Sequence, residues 1–223
     1  MAEIIIDKLI RSRRRTISLA ITPDGRLIVR APLKTSVDYI RKLVLKKSSW
    51  IKMGQETLKE RYKKNPPKEF VNGETFLFLG NKHQLKIVDD CADIELNGSL
   101  NFPRRLLPVA KDFLISWYKR QALIKISERV EWYSKLAGLN YKSIKISTAV
   151  KRFGSCGHKG TLNFNWCVVL APLSIIDYVV VHELSHLEHM NHSRKFWDKV
   201  KTIMPDYEQR KRWLKDNSYL LTV

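Results

Sequence analysis

Apolar and polar positions alternate from Ile17 to Arg30, where ISLAI and RLIVRA flank Pro23-Asp24-Gly25. A period of two around an Asp-Gly pair predicts a β-hairpin. The period then changes. Val37, Ile40, Leu43, Val44, Trp50 and Ile51 recur at helical spacing behind Thr35 or Ser36, either of which can cap, and Asn65-Pro66-Pro67 stops the run. Short apolar runs follow at Phe76–Leu79, Gln84–Val88 and Ile94–Leu96, separated by Asn72-Gly73, Gly80-Asn81 and Asn97-Gly98, a pattern that predicts short antiparallel strands. Residues 1–100 therefore read as an N-terminal α+β half, rich in strands with one long helix.

From Pro108 to Ala137 the apolar positions Phe113, Trp117, Leu123, Ile124, Ile126, Val130 and Leu136 predict a second long helix, closed by Gly138. Ile144–Ser147 and Leu162–Trp166 alternate again, with Gly154, Gly157 and Gly160 in the connection, so two strands with a Gly-rich link are expected. Beyond Pro172 the helical pattern returns and runs from Ile175 to Met190. Residues 101–223 thus form a second α+β half, with strands expected to be antiparallel and packed on that last helix.

Composition narrows the partners. The chain has 223 residues, enough to bury a substantial core, and 41 Lys and Arg against 22 Asp and Glu give a formal charge of +19. Such an excess favours anionic partners, nucleic acid and nucleotides among them, although basic residues spread from Arg11 to Lys215 serve solubility equally well. Cys91, Cys156 and Cys167 are odd in number and lack CxxC spacing, so reduced thiols are expected. The apolar Ile4–Ile6 run precedes the basic cluster, the reverse of a secretory signal, and no stretch approaches the roughly 20 apolar residues of a membrane span. A cytoplasmic protein without a membrane partner is the expectation; the oligomeric state is open.

Residues 181–193 carry the candidate chemistry: Val-His-Glu-Leu-Ser-His-Leu-Glu-His-Met-Asn-His-Ser, an HExxH spacing in an apolar helical stretch. Residues four apart share a helix face, so His182 and His186 can hold one Zn²⁺ while Glu183, about 100° around, reaches a coordinated water. Zinc lowers the pKa of that water towards roughly 7, and the carboxylate can accept its proton. The competing reading, hydrogen-bonded core histidines, leaves a buried glutamate and two imidazoles to be satisfied without a metal. For a third ligand the neighbours are Glu188, His189 and His192. On an unbroken helix His189 lies about 10 Å along the axis from His182 and His192 about 15 Å. His192 can join only where the chain stops and turns back, which Asn191 in a left-handed conformation would permit, with Ser193 capping a new helix through Phe196, Trp197 and Val200. His192 is the favoured third ligand; Glu188 reads as an exposed helix charge.

Arg152-Phe153-Gly154-Ser155-Cys156, Leu162–Trp166, Asp177–His186, Asn191-His192-Ser193 with Phe196-Trp197, Pro205-Asp206-Tyr207 and Arg212-Trp213-Leu214 together resemble the YgjP-like metal-dependent hydrolases, relatives of the zincin and SprT-like metallopeptidases. The resemblance spans nearly the whole chain. It implies a zincin-like catalytic half, zinc ligands at His182, His186 and His192, and a general base at Glu183. Phe153 stands where the family usually has Trp, and His158 where a small polar residue is commoner. The Leu162–Trp166 strand, with Asn163 and Asn165, resembles the zincin strand on which an extended peptide pairs, and Arg152 can stabilise an oxyanion or hold an anionic substrate. The resulting expectation is a zinc-dependent hydrolase acting on peptides or proteins. Its alternatives are a pyrophosphohydrolase acting on nucleoside triphosphates at the same metal, and a nucleic-acid-binding module with structural zinc and a basic surface.

Overall fold

A computed structural model of the chain describes residues 4–22, 24–149 and 152–223. In chain order the elements are β1 (Lys8–Ser12), β2 (Ser18–Ile21), β3 (Leu27–Pro32), α1 (Val37–Lys46), α2 (Ser48–Lys64), β4 (Thr75–Phe78), β5 (Asn81–Val88), β6 (Glu95–Asn97), β7 (Ser99–Pro103), α3 (Ala110–Ala137), β8 (Ser143–Ser147), β9 (Gly154–Cys156), β10 (Thr161–Asn165), α4 (Leu173–Ser185), α5 (Arg194–Ile203) and α6 (Tyr207–Asn217). The fold is α+β, and it divides into two compact units, Met1–Pro67 and Lys68–Val223.

In the first unit β2 and β3 form the expected hairpin; Gly25 turns it at φ +83°, and Pro23 lies outside the described residues. Strand β1, not anticipated because KLIRS alternates weakly, pairs parallel with β3. Leu27, Val29 and Ala31 on one face of β3 bury against Ile40, Val44 and Ile51. The single helix expected after Ser36 is two helices meeting at Lys47. Ser36 does cap, its Oγ accepting from Tyr39 N at 3.3 Å, and Trp50 is exposed.

The boundary falls at Pro67 and not near residue 100, because the β4–β7 strands share a core with α3. Phe76, Phe78, Leu85, Leu100 and Phe102 pack with Leu114, Trp117 and Tyr118, and Tyr118 donates its hydroxyl to Leu77 O at 2.7 Å. This sheet, ordered β4-β5-β7-β6, is not wholly antiparallel: β5 and β7 run parallel, since β6 turns back at Asn97-Gly98 and sits outside β7. Helix α3 ends on Gly138, left-handed at φ +65°, as the Gly after a helical run predicts.

The third sheet is ordered β8-β10-β9 and corrects two expectations. β8 and β10 are parallel, not antiparallel, because the intervening Gly-rich segment is itself a strand, β9, paired antiparallel on the far side of β10. β10 is therefore central, with no free edge for strand addition; β8 and β9 are the edges, and β9 is the one that lines a hollow beside the histidines. Asn165 N donates to Phe153 O at 2.7 Å, and Gly157 N donates to Thr161 O at 2.9 Å. The alternation of an antiparallel ladder then turns the N–H and C=O of Gly154 and Cys156 away from β10.

Helix α4 lies under these strands, with Ile175, Ile176, Val179, Val180, Val181 and Leu184 buried. Its start is held by the β4–β5 turn: Leu79 N and Gly80 N donate to Val169 O and Leu170 O, and Gly80, at φ +81°, sits so close to Pro172 that a Cβ would come within 2.8 Å of its Cα. On the α3 side the buried Asp177 accepts two hydrogen bonds from Arg129, at 2.6 and 3.2 Å, while the guanidinium lies over Trp132 and Tyr133. Removing one partner strands a charge in the interface. Asp177→Ala is accordingly expected to lower unfolding stability by about 2–4 kcal/mol, read from urea denaturation; a change under about 0.5 kcal/mol would show that Arg129 finds water instead.

Candidate metal centre

Helix α4 stops at Ser185, with His186 at its C-cap, and so ends earlier than the run to Met190 that periodicity predicts. Leu187 N bonds to Leu184 O, and Glu188 N and His189 N both bond to Ser185 O, a tightening turn that peels the chain off the helix. Asn191 does not take a left-handed conformation; it acts through its side chain, Oδ1 accepting from Ser193 N at 3.3 Å ahead of α5. The reversal brings His192 back beside the helix. Its Nε2 lies 3.0 Å from His182 Nε2, and one nitrogen from each of His182, His186 and His192 lies within 4.8 Å of the others.

These three side chains form a group that could hold a metal ion. The fit rests on three observations. The 3.0 Å separation is close to the roughly 3.3 Å that two imidazole nitrogens keep on one tetrahedral zinc at about 2.0–2.1 Å each. His186 Nδ1 lies 2.9 Å from His189 O; donation of its N–H there leaves Nε2 free to coordinate. Burial, followed by repulsion from His186, His192 and Lys211 when these are charged, depresses the His182 pKa to about 3, and burial also lowers that of His192; both shifts are towards the neutral imidazole that a metal requires. His186 is buried and His192 exposed, so the group opens to solvent on one side.

Glu183 follows the first histidine on α4 and is only 4% exposed. Burial raises its pKa to about 8 against the opposing charge of Arg152, and its Oε2 has no hydrogen-bond partner among the described residues. An unsatisfied buried carboxylate oxygen is costly unless a donor reaches it. A hollow of about 260 Å³ is walled by Gly154, Ser155 and Cys156 of β9 on one side and by the histidines, Glu183 and Met190 on the other. Only glycine fits at 154: a Cβ there would stand 2.5 Å from Glu183 Oε1.

The other expected residues fall differently. Arg152 is exposed, with its charge felt at Glu183. Asn163 is half-buried and donates weakly to Ser155 O at 3.5 Å, between strands. Asn165 is buried, donating to Ala149 O at 2.6 Å and accepting from Cys167 N at 3.1 Å, which is the work of a turn. Glu188 pairs with Lys199 at 3.0 Å, His158 is exposed in a turn, and His189 contributes its carbonyl. Burial pushes the Cys167 thiol up to about 12, and Cys156 lines the hollow.

Sequence reasoning placed Phe196 and Trp197 on a helix without seeing their use. The fully buried Phe196 ring lies 4.5–4.9 Å from all three imidazoles. Trp197 stacks on His192 at 5.7 Å and on Tyr207 at 5.4 Å, and Lys211 Nζ lies 3.9 Å from its centroid. Their position three and four residues after Ser193 was the available signal.

A buried helix end offering three convergent imidazoles beside a carboxylate defines the class as that of metal-dependent hydrolases. The family model described as "YgjP-like, metallopeptidase domain" matches residues 15–217. The chain belongs to this YgjP-like family, and it is a metal-dependent hydrolase of the metallopeptidase type. No curated protein matches it. Among solved structures it is similar to the metallopeptidase zymogen abylysin of Pyrococcus abyssi, at 20% identity and a TM-score of 0.38, covering 41% of this chain and 93% of that one. The jannalysin zymogen of Methanocaldococcus jannaschii is similar at 20% identity and TM-score 0.38, covering 42% and 96%.

The stack on His192 generates an expectation about metal retention. Trp197→Leu keeps an apolar residue on α5 but removes the planar support, and should weaken metal binding about tenfold in a chelator competition; an unchanged affinity would show that the turn at Asn191 alone positions His192.

Proposed function

We propose that the chain is a zinc metallopeptidase in which His182, His186 and His192 hold the metal and Glu183 is the general base. The observation that carries this reading is the convergence of three imidazole nitrogens within 4.8 Å around a hollow that the buried Glu183 also lines, one of its oxygens having no hydrogen-bond partner among the described residues. Three nitrogen ligands with one open position favour zinc among divalent ions. When bound, such an ion supplies Lewis acidity to the scissile carbonyl, acidifies a water, and draws the Glu183 carboxyl towards its ionised form.

The chain's own residues supply the rest. An extended peptide adds to the free edge of β9, where the backbone groups of Gly154 and Cys156 turn away from β10. This moves the strand-addition site from Leu162–Trp166 to β9, and leaves Asn163 and Asn165 as supports of the β9–β10 geometry. Gly154 lets the Glu183 carboxylate come up beneath that edge. The Glu183 carboxylate takes a proton from water as the water oxygen attacks the carbonyl carbon; as the C–N bond breaks, the carboxyl returns that proton to the leaving nitrogen. Burial makes Glu183 a stronger base than an exposed carboxylate, and Arg152 tempers that shift. Neither the family nor the site supports nucleoside triphosphates or nucleic acid as partners. No helix among the described residues is long and apolar enough to cross a membrane.

Glu183→Gln is near-isosteric and cannot accept the proton. It should retain about one metal per chain by elemental analysis, yet hydrolyse peptides about 10²–10⁴-fold more slowly than the parent. Loss of metal in this variant, or turnover within a factor of a few of the parent, would remove Glu183 from the base role.

A further inference from the structure

Beyond the metal hollow, a larger cavity of about 500 Å³ opens at the end of the third sheet where β8 and β10 finish and β9 begins. Its size is that of a small-ligand site. Phe153, Trp166 and Leu221 give it apolar surface, Thr148, Ser218 and Thr222 are among its polar residues, and Arg152 is the charged one among the described residues that line it. Arg152 and Phe153 directly precede Gly154, which touches Glu183. At about 3.3 Å per strand residue, the cavity therefore lies one to two residues along β9 from the catalytic carboxylate. Arg152 makes no ion pair or hydrogen bond with any described residue, although Asp and Glu partner six other arginines of the chain. An exposed guanidinium with no hydrogen-bonded carboxylate among the described residues, lining a cavity of mixed polar and apolar walls, suits a carboxylate that arrives with the substrate.

We propose that this cavity is a substrate subsite for a carboxylate, borne either by an acidic side chain or by the C-terminus of the peptide, with Arg152 as its partner. The proposal rests on the metallopeptidase reading and adds the substrate class. A peptide paired along β9 passes from the hollow towards Arg152, so the residue next to the scissile bond, or one further, places its carboxylate at the guanidinium and its apolar portion against Phe153 and Trp166. Arg152 thereby acts as a specificity residue through contact with substrate.

The test is hydrolysis of matched peptides by the metal-loaded full chain: one ending in a free carboxylate, the same peptide amidated, and amidated versions with Glu or Gln at positions flanking the cleaved bond. The ratio of kcat/KM for a carboxylate peptide over its neutral match should be about tenfold or more, expressed mainly in KM, in one of the two pairs; which pair shows it identifies the source of the carboxylate. In Arg152→Gln that ratio should collapse towards unity, and in Arg152→Lys it should return in part. A parent ratio near unity, or one that survives in Arg152→Gln, overturns the subsite and leaves the metallopeptidase reading standing. Absence of cleavage of every peptide tells against that reading instead. The subsite is then decided by calorimetric binding of the same peptides to the Glu183→Gln protein, where carboxylate peptides binding about tenfold tighter support it and equal affinities overturn it.

Discussion

A carboxylate and two imidazoles sit at the end of a helix whose other side chains are mostly apolar and buried. Polar groups in that position are unfavourable by several kcal/mol each unless something satisfies them. The second unit answers with distinct contacts for each group. His186 reaches the carbonyl of His189, the chain reverses to bring His192 against His182, and Phe196 fills the apolar side of all three rings. Glu183 keeps one oxygen unpartnered beneath β9. What remains unsatisfied is what a metal ion and a water would satisfy, so the instability of the centre by itself and its chemical use have the same origin.

The same constraint explains the strands above. A carboxylate can come up so closely under the sheet only where the strand has no side chain, which is why a glycine, Gly154, lies over Glu183. Its edge position leaves β9 with backbone groups turned away from β10 next to the hollow, where the proposed peptide would pair. Helix α4 must hold its depth for this to work. It is pinned at its start by the Gly80–Pro172 contact and along its length by the Arg129–Asp177 pair.

Much of this is legible in the residues. The HExxH spacing makes His182, Glu183 and His186 the candidates, and the reversal that the sequence permits before Ser193 favours His192 over Glu188 and His189 as the third member of the histidine group. The hairpin at Asp24-Gly25, the stop at Pro66 and the Gly138 cap follow from local backbone chemistry, which needs no knowledge of the rest of the chain. Parallel pairing of β5 with β7 and of β8 with β10 is not legible, since alternation looks alike in either direction. Nor is β9: Gly-Ser-Cys has no strand propensity, and only its partner β10 and the helix beneath make it one. Asn163 and Asn165 resemble cleft residues in sequence, and their roles as interstrand and turn supports emerge only once β10 is seen to be central. The use of Trp197 behind His192 depends on a tertiary stack that no periodicity encodes.

The central claim is that three imidazoles and no fourth protein group hold a metal with an open position beside Glu183. X-ray absorption at the metal edge of the zinc-loaded protein tests it most directly. The account predicts three histidine nitrogens with at least one oxygen from solvent in the first shell. A sulfur scatterer from Cys156, a fourth protein nitrogen closing the site, or fewer than three imidazoles would contradict it.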